Sequence, residues 1–343
     1  MKRMPVRFFS FLIAVLILSG CGPGGRNGAA EGRTPDAGGV SGDSADRANG
    51  ADSGGAGGDR ADSGGAGAGG TPVDVLGRAF SPYEGGARRI VSLSPGVTEI
   101  LFAIGAGERV VGVTEYCNYP PEARDRIRVG GFAGATVSME RIAALKPDLV
   151  VISGDMHGRI LALLENLGIP AFAVEPRGFE DVFGVIRTIG LLAGCAEGAD
   201  ETVRVMKGKL EKAALLYAEG AGPSVYWELS EEPLISAGKG SFVGEALSRA
   251  GGVNIFGDLE KDWPLVSGEE VVLRRPEWIL TGDDHGRPEG FALRPGWREI
   301  PAVKNGRIAV VNADRLYRYG PRLADAVLEI AAILGGAPSG GRR

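Results

Sequence analysis

Two stretches of this chain share one pattern 129 residues apart. Ser138-Met-Glu140-Arg-Ile142 leads through Pro147-Asp148 into the apolar run Leu149–Ile152, and Ser267-Gly-Glu269-Glu-Val271 leads through Pro276-Glu277 into Trp278–Leu280. Each copy reads as Ser-x-Glu, a short helix, Pro-acid and a strand, with Ser, Glu and Pro all recurring at the offset of 129. Each then meets a similar pentapeptide, Gly154-Asp155-Met156-His157-Gly158 and Gly282-Asp283-Asp284-His285-Gly286. Between the copies lies Gly198–Glu219, where Val203, Met206, Leu210, Ala213, Ala214 and Tyr217 recur at steps of three and four, one face of a helix. About 21 helical residues span roughly 30 Å, the width of a small domain. The duplication predicts two similar α/β lobes joined by one helical rod.

The flanking segments extend each lobe. In residues 87–197, strands are expected at Ile90–Leu93, Arg109–Val113, Leu149–Ile152 and Ala171–Val174, and helices at Val97–Ile104, Glu140–Leu145, Leu161–Leu167 and Phe179–Leu192. In residues 222–336, strands are expected at Ser224–Leu229, Trp278–Thr281 and Arg307–Val311 and helices at Phe242–Arg249 and from Pro321 to about Leu334, with Asn312–Gly320 a loop. Strands alternating with helices predict mostly parallel, Rossmann-like sheets covered on both faces. Ligands of such sheets sit beyond the carboxyl ends of the strands. Tyr116, Phe132 and His157 are expected on loops at strand ends, and Trp263 on a loop before the second repeat.

The first 72 residues have a different character. Lys2, Arg3 and Arg7 precede the apolar run Phe8–Leu18, and Leu18-Ser19-Gly20-Cys21 follows. This is the order of a signal peptide over 1–20, and the run is too short for a transmembrane helix. Its last four residues resemble a bacterial lipobox, which implies a lipid-modified (palmitate-bearing) Cys21 after cleavage. Residues 21–72 are Gly, Ala, Asp and Ser with scattered Arg and little apolar bulk, a composition expected to stay disordered and to serve as a tether. Residues 337–343 read as a disordered tail. The net charge is −5 and the basic residues are scattered, so nothing indicates nucleic acid as a partner. Besides Cys21 the cysteines are Cys117 and Cys195; export would permit a disulfide, but sequence does not show that they meet.

Several motifs taken together are similar to one family. Val91-Ser-Leu-Ser-Pro95 with Thr98-Glu99, Tyr116-x-x-Tyr119-Pro-Pro, the Ser-x-Glu140 repeat, Ala250-Gly-Gly-x-Asn254-Ile-Phe, Trp263-Pro-x-Val-Ser and Asp314-x-x-x-Arg318 resemble the helical-backbone (class III) substrate-binding proteins of ABC importers. These take up ferric siderophores, haem and vitamin B12, and the likeness is greatest to the vitamin B12-binding members. The resemblance implies a ligand cleft between the lobes and no enzymatic activity. It implies that Glu140 and Glu269 dock onto the permease of an importer whose ATPase drives uptake, and that Tyr116, Phe132, Trp263, Asp314 and Arg318 contact a corrinoid. Phe132 stands where the vitamin B12-binding members have a tryptophan. An exported protein held by lipidated Cys21, on the periplasmic face of the inner membrane or the outer face of the cell membrane, fits that role. No cofactor is expected beyond the transported metal chelate.

The chain departs from that pattern in one respect. Its two histidines, His157 and His285, fall in the paired pentapeptides. Facing loops would bring both imidazoles to the cleft as ligands of a metal or of the axial sites of haem or a corrinoid, with Asp155, Asp283 and Asp284 nearby. Haem or a ferric siderophore is therefore the alternative cargo. A metal-dependent hydrolase is more distant, since the sequence lacks H-E-x-x-H, G-x-S-x-G and a phosphate loop.

Overall fold

The computed structural model describes residues 71–131, 136–216, 222–283 and 288–335, apart from the side chains of Asp155 and Met156. Phe132, Asp284, His285, Tyr217, Cys21 with the N-terminal 70 residues, and the 337–343 tail lie outside the described residues.

The first lobe is built on β1 (Ile90–Ser92), β2 (Val110–Val113), β3 (Ile127–Arg128), β4 (Leu149–Ser153) and β5 (Ala171–Val174), all parallel in the order β3-β2-β1-β4-β5. Its helices are α1 (Pro95–Ala103), α2 (Met139–Ala144), α3 (Gly154–Asn166) and α4 (Phe179–Leu192). Alternate strand residues enter opposite layers: Ile90, Leu149 and Val151 pack on one side, and Val91, Val150 and Ile152 on the other with Ile142, Ile160 and Leu164. This two-sided burial is why the strands read as unbroken apolar runs.

The rod is α5 (Ala196–Leu215), two residues earlier at its start than its apolar stripe predicts. Ala199, Val203, Met206 and Ala213 are buried along it, against α4 and the last helix. A Cβ at Gly198 would come 2.2 Å from the Ile104 carbonyl oxygen, so only glycine lets the rod lie this close to the end of α1.

The second lobe has β6 (Ser224–Glu228), the antiparallel hairpin β7 (Ser230–Glu231) and β8 (Leu234–Ile235), β9 (Val253–Asn254), β10 (Trp278–Gly282) and β11 (Ile308–Val311). Its sheet is parallel in the order β11-β10-β6-β9. Its helices are α6 (Phe242–Arg249), α7 (Gly268–Arg274), α8 (Pro301–Lys304), α9 (Ala313–Tyr317) and α10 (Leu323–Leu334). One apolar core runs without a break from Ile90 in the first lobe through Val203 and Met206 of the rod to Val225, Leu280 and Leu334 in the second.

The repeat folds alike twice. Ser138 Oγ accepts from Arg141 N at 3.3 Å and Ser267 Oγ from Glu270 N at 3.1 Å, each capping its short helix. The residue before each proline is left-handed, Lys146 at φ 46° and Arg275 at φ 49°, a conformation that costs an L-residue free energy. The acid after each proline ties down the neighbouring strand. Asp148 accepts from Arg88 N and Arg89 N at 2.8 and 2.9 Å, and Glu277 accepts from Ser224 N at 2.9 Å.

Three expectations are corrected. Gly154–Gly158 is not a loop, because β4 runs directly into α3. Asn312–Gly320 is not all loop, because Asn312 Oδ1 accepts from Arg315 N at 3.2 Å and starts α9. The last helix begins at Leu323, two residues after Pro321. Before the first lobe, residues 71–80 lie along the outer edge of β5: Val75 N donates to Ala173 O at 3.2 Å and Arg78 pairs with Glu165 at 2.8 Å.

Candidate functional site

The carboxyl ends of β1 and β2 face the chain that leaves β11. Ser94, two residues past β1, makes no side-chain cap bond to its own helix; its hydroxyl lies 2.9 Å from Tyr319 Oη of the other lobe. Gly96 leaves room for that ring, since a Cβ there would lie 3.1 Å from Tyr319 Cδ2. Arg318 donates to Asn118 Oδ1 at 2.7 Å and to Glu99 at 3.4 Å, and Arg322 donates to Glu99 at 2.8 Å while lying 3.9 Å over the Tyr119 ring. The side chains of Glu99 and Arg318 are 2% and 5% exposed, so this is a buried cluster that spans the lobes. On another face, Glu245 of α6 accepts from Phe179 N at 3.1 Å and so caps α4 of the first lobe.

The electrostatics follow from burial. Burial raises the Tyr319 hydroxyl to about 12, against weaker opposing hydrogen bonds from Ser94 and Ser153. Burial works against the charge of Arg322, but Glu99 outweighs it and holds the guanidinium above its usual range. Burial likewise pushes the Cys117 thiol up, with Thr114, Thr98 and Arg318 pulling the other way. Cys117 and Cys195 are both free thiols.

Aromatic surface gathers beside the cluster. Trp227 at the end of β6, Tyr317 of α9 and Trp263 form an edge-to-face ladder with centroid spacings of 6.4 and 6.5 Å. Trp227 is fully buried and its Nε1 has no hydrogen-bond partner among the described residues; Trp263 and, in the first lobe, Tyr116 are half-buried. A separate groove of about 820 Å³ runs beside the rod, floored by Phe102, Ile104, Val205 and Met206. Tyr119, Glu99 and Arg322 close one end of it, but Tyr116, Trp263, Asp314 and Arg318 do not line it. It lies on the flank of the cleft and not between the strand ends.

The structure links Trp263, through Tyr317, to the segment that carries Asp314 and Arg318, and Arg318 meets Asn118, two residues from Tyr116, but Arg318 is turned inward. It pairs with Asp314 at 2.8 Å and with Glu99, instead of standing open. His157 is not on a loop. It is buried in the first turn of α3, and its Nδ1 accepts from Ser153 N at 3.0 Å, which fixes a neutral ring with the proton on Nε2. With no exposed surface, it can meet a ligand only if α3 shifts. The histidines are also not equivalent in the lobes: His157 is four residues past Ser153, the end of β4, and His285 is three past Gly282, the end of β10. Asp283, expected near the histidines, accepts from Asn312 Nδ2 and Ala313 N, both at 2.9 Å, and holds α9. Among the described residues no group of three or more His, Cys, Asp or Glu is arranged to hold a metal ion.

Glu140 and Glu269 occupy the same second position of α2 and α7, and both are exposed. Sequence reasoning missed Glu99, Asn118, Tyr319 and Arg322. Glu99 and Arg322 were readable only as acid and base at opposite ends of the chain.

Two parallel-sheet lobes on a single helix, with strand ends and aromatic rings facing each other, define a bilobal binding protein. The chain belongs to the periplasmic binding protein family, whose model matches residues 90–314. It is 33% identical over 249 residues to the vitamin B12-binding protein of Vibrio cholerae, covering 72% of this chain and 89% of that one. The crystal structure of the periplasmic vitamin B12-binding protein from Vibrio cholerae superposes with a TM-score of 0.62 at 33% identity, over 72% of this chain and 96% of that one. An uncharacterised ABC transporter substrate-binding lipoprotein of Bacillus subtilis is 34% identical over 252 residues, 71% of this chain and 79% of that one. A periplasmic haem-binding protein from a Roseiflexus species is similar at 26% identity and a TM-score of 0.62, over 73% of this chain and 98% of that one.

Proposed function

We propose that this chain is a lipid-anchored, extracytoplasmic binding protein that captures a corrinoid of the vitamin B12 type and delivers it to an ABC importer. The observation that carries the reading is the aromatic ladder Trp227–Tyr317–Trp263 at the lobe junction, in a chain 33% identical to a vitamin B12-binding protein. A large flat macrocycle is held by aromatic area on its faces and a few polar groups at its rim. Trp263 and Tyr116 supply the faces, and Asp314 and Arg318 the rim once the ligand competes for their mutual pair. Phe132, outside the described residues, is a further candidate contact by resemblance alone. Glu140 and Glu269 present unpaired charge to arginines of the permease: among the described residues neither has an ion-pair partner. The Bacillus relative, named a lipoprotein, supports anchoring through Cys21.

Haem is the second reading, favoured by the Roseiflexus relative. The test is titration with cyanocobalamin and separately with haemin, following tryptophan fluorescence and ligand absorption. Tight binding of cobalamin, weakened at least tenfold in Trp263→Ala, is the expected result. A haem Soret shift lost in His157→Ala or His285→Ala would replace the corrinoid by haem and restore an axial role for the histidines. Binding of neither would remove both cargoes.

A further inference from the structure

The two docking corners have one backbone and different surfaces. Glu269 and Leu273 are four apart on α7 and so share a face, as Glu140 and Ala144 do on α2. Leu273 is 79% exposed, and Leu265, on the extended segment that enters α7 and bridged to Ile235, is 60% exposed. At the offset of the repeat their counterparts in the first lobe are Ala144 and Thr136, also exposed. At these matched positions the second lobe bares two leucines, and the first an alanine and a threonine. Beside Glu269, Glu270 is already spent on Arg274 at 2.8 Å. Glu269 has no ion-pair partner among the described residues and lies one helical turn before the bare Leu273.

Large apolar side chains left this open next to a functional charge mark a contact surface. Interfaces draw their affinity from desolvated apolar anchors, whereas exposed charge pairs mainly set orientation and association rate. We infer that Leu265 and Leu273 extend the Glu269 contact into an apolar one, so that the importer's membrane subunits are gripped principally at the second lobe. The matching partner is a permease loop that carries a basic side chain next to an apolar one. The Glu140 corner makes a charge contact alone, which salt weakens. This inference rests on the docking role proposed above for the two glutamates.

The test uses the full-length chain and the purified permease–ATPase complex whose ATP hydrolysis the wild-type chain stimulates, held in nanodiscs. Affinity is measured at low and high salt for Leu265→Ser/Leu273→Ser, Glu269→Ala and Glu140→Ala. The leucine variant is expected to bind at least tenfold more weakly at both salt concentrations. Glu140→Ala is expected to lose no more than about threefold, and only at low salt. Cargo binding and melting temperature should stay at wild-type values in all three, because the altered side chains are exposed. Leucine variants that bind the complex as wild type does, while Glu269→Ala binds weakly, would overturn the inference and leave the docking reading standing. Leucine variants that instead shift the chain's sedimentation would assign the patch to a second copy of the chain and also overturn it. A wild-type chain that stimulates no importer would remove the docking reading and this inference together.

Discussion

In the first lobe β4 ends at Ser153 and the chain turns directly into α3, burying His157 in its first turn. In the second lobe β10 ends at Gly282, and Asp283 turns to cap α9, whose far end delivers Arg318 and Tyr319 to the first lobe. Up to that point the lobes match: serine cap, exposed glutamate, left-handed residue, proline, strand-tying acid. The shared part fixes how each central pair of strands is set. The part that differs decides which lobe reaches across the cleft. The scaffold is common to both lobes, and the crossing contacts reach from the second lobe to the first.

The largest test of that asymmetry is Glu99→Gln. It leaves Arg318 and Arg322 buried against a neutral amide, and removing one partner of a buried ion pair costs about 3 kcal/mol. Urea unfolding is expected to show a loss of that order in a single transition, because one core spans both lobes. A loss below about 1 kcal/mol would mean that the crossing cluster contributes little.

Tyr319 gives the second test, through pH. Its folded hydroxyl titrates at about 12, above the ordinary value of about 10. A group raised on folding contributes stability that is full below the unfolded value and is lost as pH rises through the folded one. Stability is therefore expected to fall by about 2 kcal/mol between about pH 10 and 12, and Tyr319→Phe should flatten that part of the curve. A phenolate absorbance titration locates the group, and an unchanged slope in the variant would separate Tyr319 from the alkaline transition.

The matched acids come next. Asp148→Ala removes the acceptor of two backbone N–H groups and should cost about 2 kcal/mol, whereas the more exposed Glu277→Ala should cost about 1 kcal/mol. A reversed order would break the equivalence of the repeats. Smallest is the left-handed pair: Lys146→Gly and Arg275→Gly relieve strain at the price of glycine's chain entropy, for a net gain of about 0.5 kcal/mol each. Equal thermal shifts of the two variants would sharpen the comparison, and opposite signs would break it.

Much of the frame was legible in the sequence. The stripe Val203, Met206, Ala213 marked the rod because burial on one helical face leaves a period. The serine caps and prolines marked helix starts and strand starts by local stereochemistry. The site was less legible because its contacts are not local. Glu99 meets Arg318 and Arg322 across 219 and 223 residues, and no periodicity reports such a meeting. His157 was misplaced because Gly, Asp and Gly around it are turn-formers; the apolar face of α3 behind it, with Ile160 and Leu164, overrode that preference. Helix α9, five residues long, is too short to show a pattern.

Residues 71–80 carry a mechanical consequence. They are laced to β5, an outer strand of the first lobe, by Val75 N on Ala173 O, by Asp74 on Ala173 N and by Arg78 on Ala171 O, and to α3 by the Arg78 pair with Glu165. Any load arriving at Thr71 from the chain before it enters one lobe along one edge. It does not pass through Glu99, Arg318 or the ladder of rings. A pull applied there would turn the whole body and leave the contacts between the lobes undisturbed.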